Sequence, residues 1–144
     1  MIEHFDDGIG KVLKALSESG LTDNTLIIFT SDNGGQLNVG ASNGALRGGK
    51  GEMWEGGIRE PMFAVWPGRI EPGSRSSSIA LTMDLFPTMC EAAGADFSHE
   101  IDGRSILPAM LGVPSTGEDE RFLFWVRREG GPRYGGQAFY AVRY

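Results

Sequence analysis

The stretch Leu26-Ile27-Ile28-Phe29-Thr30-Ser31-Asp32-Asn33-Gly34-Gly35 decides how this chain folds. Five apolar or β-branched residues in succession, with Asn24 before them and Asp-Asn-Gly-Gly after them, predict a buried strand of a parallel or mixed sheet. Proteins of the α/β class place ligands at the carboxyl ends of such strands. At that end the chain sets a carboxylate beside a carboxamide, on backbone freed by two glycines. It then runs through Leu46-Arg47-Gly48-Gly49-Lys50-Gly51 and Trp54-Glu55-Gly56-Gly57-Ile58-Arg59-Glu60-Pro61. These residue types suit an anion and a hard metal ion.

Upstream of the strand, Ile9, Val12, Leu13 and Leu16 fall at spacings of three and four, with Lys11, Lys14 and Glu18 opposite. The spacing predicts an amphipathic helix over Ile2 to Ser19, ended by Gly20. Downstream, Met62 to Trp66 reads as a second apolar strand closed by Pro67-Gly68. Ile70 to Ser78, rich in Gly, Ser and Arg, reads as an exposed connection. Asp84 as cap, an early Pro87 and a closing Gly94 predict a second helix with Leu85, Met89 and Ala92 or Ala93 inward. A shorter helical turn is expected from Ser105 to Leu111, closed by Gly112, and a polar linker to Glu120. Phe122 to Val126 and Ala138 to Arg143 then read as antiparallel strands joined by a turn over residues 130–137.

The chain has 144 residues, 40% of them hydrophobic, enough for about one domain that buries roughly two thirds of its unfolded surface. A formal charge of −6 without a basic face excludes an electrostatic footprint for nucleic acid. No apolar run reaches the ~20 residues of a membrane span, and the first residues lack the basic-then-apolar order of a signal peptide. Cys90 is the single cysteine and has no internal disulfide partner; its place in the second helix reads as packing. The 22 glycines cluster between Gly34 and Gly57, where loops approach something closely.

Two readings of Asp32-Asn33-Gly34-Gly35 stand side by side. Asn-Gly is a strong hairpin-turn signal, although no matching strand follows within five residues. Alternatively, Asp32 and Asn33 offer oxygens to Ca²⁺ or Mg²⁺, ions that take six or more, so further ligands must come from elsewhere. Gly44 to Lys50 mimics the phosphate loop G-x-x-x-x-G-K, but Gly51 replaces the expected Ser or Thr, no strand precedes it, and Gly56-Gly57 should spoil the following helix. A lysine among glycines still suits a tetrahedral oxyanion. Arg59, beside Glu55 and Glu60, reads as an internal ion pair holding the loop. His4 and His99 sit in polar, exposed segments and receive no role.

Residues 23–35, Leu46 to Gly51, Glu55 to Pro61, Trp66-Pro67-Gly68, and Asp84 to Thr88 followed by Ala92-Ala93-Gly94 resemble, in order and spacing, the type I sulfatases (arylsulfatases) of the alkaline phosphatase superfamily. The likeness runs over roughly residues 5 to 112, and the tail from Arg121 resembles the start of that family's C-terminal antiparallel sheet. The resemblance implies an α/β fold. Residues 1–112 would form the C-terminal part of the sulfatase domain, a mixed sheet flanked by helices, and residues 113–144 a linker and the start of the antiparallel subdomain. It implies sulfate ester hydrolysis, with Asp32 and Asn33 as ligands of Ca²⁺ and Lys50 contacting the substrate sulfate. The substrate would be a small-molecule or carbohydrate sulfate ester, in an enzyme of a family often periplasmic, secreted or lysosomal.

The departures are equally specific. Family members carry, upstream, a C-x-P-S-R segment whose cysteine becomes formylglycine, the hydrated aldehyde that attacks sulfur. Cys90 lies in Cys-Glu-Ala-Ala-Gly and does not fit it. The family's upstream acidic pair and its Lys and His acids are also missing. The chain alone is therefore expected to hold half a calcium site and to hydrolyse no sulfate ester, and its uncovered sheet edge to favour self-association. Two alternatives remain open: a phosphoesterase or phosphotransferase of the same superfamily, and a noncatalytic domain acting as an interaction surface.

Overall fold

A computed structural model of the chain describes residues 2–114, 121–128 and 135–144. The element order is α1 (Ile2–Glu18), β1 (Ile27–Thr30), α2 (Glu55–Ile58), β2 (Met62–Val65), α3 (Leu85–Ala93), α4 (Leu107–Met110), β3 (Leu123–Arg127) and β4 (Phe139–Arg143). The chain divides into two compact units, one built from Met1–Phe29 and Phe63–Pro114, the other from Thr30–Met62 and Ser115–Tyr144.

In the first unit, α1 follows the predicted periodicity, yet buries no residue fully: Val12 and Leu13 stay exposed. Its Phe5 meets Phe29 of β1 at 5.9 Å between ring centroids, and Phe29 meets Phe63 of β2 at 6.3 Å. β1 and β2 form a two-stranded sheet, with the end of β1 beside the start of β2, since Thr30 Oγ1 donates to Pro61 O at 3.1 Å. This corrects the expected buried strand and mixed sheet. Ile27 and Ile28 are half-buried, Phe29 and Thr30 exposed, and Phe63 is 61% exposed. The physical reason is strand number: among the described residues the strands form two separate pairs, so β1 has β2 as its one neighbour where a central strand requires two.

Helix α3 begins and ends as expected, with Gly94 in the left-handed conformation donating to Cys90 O and Glu91 O. Its buried face differs. Pro87 and Thr88 point inward while Met89 is 52% exposed, because the helix turns its Asp84–Thr88 side to the segment before α4. Asp84 and Thr88 are fully buried. Rather than capping α3, the Asp84 carboxylate accepts from Leu81 N at 2.7 Å and from Arg104 N at 2.9 Å. Thr88 Oγ1 donates to Asp84 O at 2.6 Å and accepts from Ile106 N at 2.9 Å. Two polar side chains thus tie α3 to residues 20 and 18 positions further on, where the low dielectric strengthens each bond. Cys90 is half-buried and His99 lies exposed against Phe86 and Phe97.

In the second unit, β3 and β4 pair antiparallel with Trp125 opposite Ala141 and Leu123 opposite Arg143. The strand reading therefore holds, while residues 115–120 and most of the connecting turn lie outside the described residues. Burial alternates along the hairpin: Leu123, Trp125 and Arg127 turn inward and Phe124 and Val126 outward. That period of two selects the face that meets the glycine-rich segment.

Candidate functional site

The residues from Ser31 to Glu60 belong to the second unit and are held mainly by their own backbone. Directly after β1 the chain bends at Asp32 and Asn33, and β1 pairs with β2 rather than with a strand following the bend. That settles against the hairpin reading of Asn33-Gly34. Gly34 N donates to Gly57 O at 3.2 Å, and Lys50 N donates to Gly35 O at 3.1 Å. Gly56 N donates to Arg47 O at 2.7 Å. These three bonds stack the segments around Gly34, Lys50 and Gly56 against one another.

Close approach explains the glycines. Gly34, Gly49, Gly56 and Gly57 are buried. A Cβ on Gly34 would coincide with the carbonyl of Gly56, and one on Gly56 with the carbonyl of Gly48. The Gly56-Gly57 pair, expected to break a helix, lies inside the single turn of α2 for this reason: only glycine lets that turn sit on the loop before it.

Side chains complete the frame. Asn43 accepts from Gly35 N at 2.8 Å through Oδ1 and donates to Gly48 O at 2.8 Å through Nδ2. Glu52 accepts from Gly49 N at 3.1 Å. Glu55 accepts from Arg59 at 3.0 Å, the ion pair expected from sequence, and from Arg143 of β4 at 2.6 Å. The Arg59 hydrogen bond holds the Glu55 carboxyl below its ordinary value; burial opposes it, and the charge and hydrogen bond of Arg143 add to the lowering. Arg127 of β3 donates to Gly51 O, the residue after Lys50. Sequence reasoning missed Asn43, Arg127 and Arg143. A lone carboxamide has no periodic signature, and the two arginines are found only by assuming the hairpin packs here.

Asp32 and Lys50 are exposed and Asn33 half-buried. Asn33 Nδ2 donates to Gly34 O at 3.0 Å, which turns its nitrogen to the backbone and leaves Oδ1 as the atom for a cation. Burial first, then the negative charge of Asp32, pushes the Glu60 carboxyl above its ordinary value. Asp32 therefore has an acidic neighbour that sequence reading had assigned to an ion pair with Arg59. A hard cation fits this oxygen set in kind, but among the described residues no three His, Cys, Asp or Glu side chains converge.

The family model described as Sulfatase matches residues 1–95. The chain belongs to the sulfatase family. It is 42% identical over 133 residues to the steryl-sulfatase of Mus musculus, with 85% of this chain covered and 21% of that protein. It is likewise 42% identical over 132 residues to the N-acetylgalactosamine-6-sulfatase of Canis lupus familiaris, covering 88% of this chain and 25% of the other. Among solved structures, that of Ps i-CgsB in complex with k-i-k-neocarrahexaose superposes with a TM-score of 0.86 at 38% identity, over 99% of this chain and 31% of that one. The chain spans about a quarter or less of the length of these curated sulfatases. Among the described residues no helix of this sulfatase chain is long and apolar enough to cross a membrane.

Proposed function

We propose that Asp32 to Glu60 is the cation-binding and sulfate-binding part of a sulfatase active site, acting in the hydrolysis of a sulfate ester. The observation that carries this reading is the hydrogen bond from Lys50 N to Gly35 O at 3.1 Å, which draws the lysine-bearing loop against the Asp32-Asn33-Gly34-Gly35 turn. Asp32 and the Oδ1 of Asn33 would hold Ca²⁺, with the remaining oxygens supplied by residues outside this chain. When bound, the ion polarises sulfate oxygens. Lys50 places a compact positive charge on those oxygens where negative charge builds up during ester cleavage. Glu52 and Asn43 orient the loop on which Lys50 stands, and Arg127 anchors its far side through Gly51 O.

The substrate is a sulfated carbohydrate in this reading, supported by the oligosaccharide in the Ps i-CgsB complex. Cys90, the single cysteine, is half-buried in α3 and outside any C-x-P-S-R sequence, so the nucleophile lies beyond these residues and the chain alone turns over no ester. The test is Lys50→Ala in a full-length sulfatase carrying this segment. The variant is expected to lose ~10²-fold or more in kcat/KM on a small aryl sulfate. An unchanged kcat/KM would remove Lys50 from the site and this reading with it.

A further inference from the structure

Between the Asp32-Asn33-Gly34-Gly35 turn and the lysine loop the chain leaves the frame and returns to it. Residues 36–42 are exposed, and Asn43, half-buried, is where the chain turns inward again. A carboxamide offers an acceptor oxygen and two donor hydrogens, and here all three are engaged by backbone. Oδ1 accepts from Gly35 N at 2.8 Å, while Nδ2 donates to Gly48 O at 2.8 Å and to Gly35 O at 3.4 Å. The partners fix its orientation, because an amide N–H needs the oxygen and a carbonyl needs the nitrogen. The same Gly35 carbonyl accepts from Lys50 N. One side chain therefore grips the peptide on which Lys50 rests and, at Gly48, the loop that delivers it.

The glycines beside Asn43 make room for it. A Cβ on Gly35 would lie 2.9 Å from Asn43 Oδ1, and one on Gly49 would lie 3.2 Å from Nδ2 and 2.5 Å from Gly35 O. Neither glycine has a positive φ, so what they supply is space rather than backbone freedom. Glu52 and Arg127 bond to the loop, at Gly49 N and Gly51 O, whereas Asn43 bonds to the loop and to the turn.

We propose that Asn43 is a positioning residue for ester cleavage. Its carboxamide sets the spacing between the Asp32-Asn33 turn and Lys50, so that the cation and the lysine charge meet one and the same sulfate group. The proposal rests on the function proposed above and goes beyond it by making the placement of Lys50 depend on a single group, the Nδ2 donor of Asn43.

The test compares Asn43→Asp with Asn43→Ala. The aspartate keeps the shape and an acceptor for Gly35 N but turns a carboxylate oxygen, with no hydrogen, toward the two carbonyls; alanine removes both functions. In amide hydrogen exchange on the 144-residue chain, Asn43→Asp should leave Gly35 protected and speed exchange at Lys50 about tenfold, whereas Asn43→Ala should speed both. Unchanged α3 amides show that each variant folds. In a full-length sulfatase carrying this segment, Asn43→Asp should lower kcat/KM on a small aryl sulfate about tenfold at about pH 7. The ratio to the parent should recover as pH falls toward the carboxyl range near ~4, where the protonated acid regains a donor for Gly48 O. A merely structural lesion gives no such recovery, and Glu52, present in both proteins, cancels in the ratio. Unchanged exchange at Lys50 in Asn43→Asp overturns the proposal, as does a loss of turnover that persists at low pH. So does turnover unaffected by Asn43→Asp where Lys50→Ala reduces it. Turnover unaffected by either variant instead refutes the role of Lys50, and the role of Asn43 falls with it.

Discussion

Alanine at position 34 strikes the point where the two halves of the glycine-rich segment touch. The added Cβ would fall on the Gly56 carbonyl, so the backbones around Gly34 and Gly56 must separate. Three hydrogen bonds depend on their contact: Gly34 N to Gly57 O, Lys50 N to Gly35 O and Gly56 N to Arg47 O. At about 1 kcal/mol each, their loss amounts to roughly 3 kcal/mol, on the order of a 100-fold shift in the opening equilibrium of this segment. Amide hydrogen exchange reads that equilibrium locally. Gly34→Ala should speed exchange at the Lys50 and Gly56 amides by that factor, leaving the α3 amides of the first unit unchanged. Gly10→Ala supplies the contrast. A Cβ there meets nothing within 4 Å, and Gly10 lies inside α1, where alanine is favoured by about 0.8–1.0 kcal/mol. It should slow exchange along α1. Unchanged protection at Lys50 in Gly34→Ala would refute the account of the segment as a frame of close backbone contacts.

Asp84→Ala leaves the amides of Leu81 and Arg104 without their carboxylate acceptor in a fully buried place, and should lower the thermal midpoint through a loss of about 2–4 kcal/mol; a midpoint within a degree of the parent would contradict the role given to Asp84. Glu55 has a folded pKa below its ordinary value of 4.5, so its contribution is present above 4.5 and lost as pH falls through the lowered value. Because its side chain is 40% exposed, that contribution is at most about 1 kcal/mol, and urea unfolding at pH 6 and pH 3 should show a smaller acid loss in Arg143→Gln than in the parent, equal losses counting against the ion pair. The chain should bind Ca²⁺ more weakly than micromolar in calorimetry, since Asp32 and Asn33 supply two of the six or more oxygens required; micromolar affinity would mean the site is complete within these residues.

Periodicity carried the parts of the fold that periodicity governs. The spacing of Ile9, Val12, Leu13 and Leu16 marked α1, Gly94 marked the end of α3, and alternation marked β3 and β4. What it could not carry was partner identity. Asp84 reads as a helix cap because Asp usually is one, but its acceptors face the amides of Leu81 and Arg104, the second of them 20 residues away, a contact with no local signal. The same holds for Gly56-Gly57: a propensity argument sees two helix breakers, whereas the decisive quantity is how near Gly48 comes. Asp32, Asn33 and Lys50 were singled out by type and spacing. Their framing by Asn43 and Arg127 became visible only with the loop folded.

The hydrogen bonds that fix Lys50 join main-chain atoms to main-chain atoms, apart from the clips at Asn43, Glu52 and Arg127. A position defined in this way is indifferent to most side chains around it. The side chains around Lys50 can therefore change, one at a time, without displacing the loop that carries it. Such an arrangement separates two demands on the sequence, with glycine required where backbones meet and other residue types permitted at the side chains that surround them.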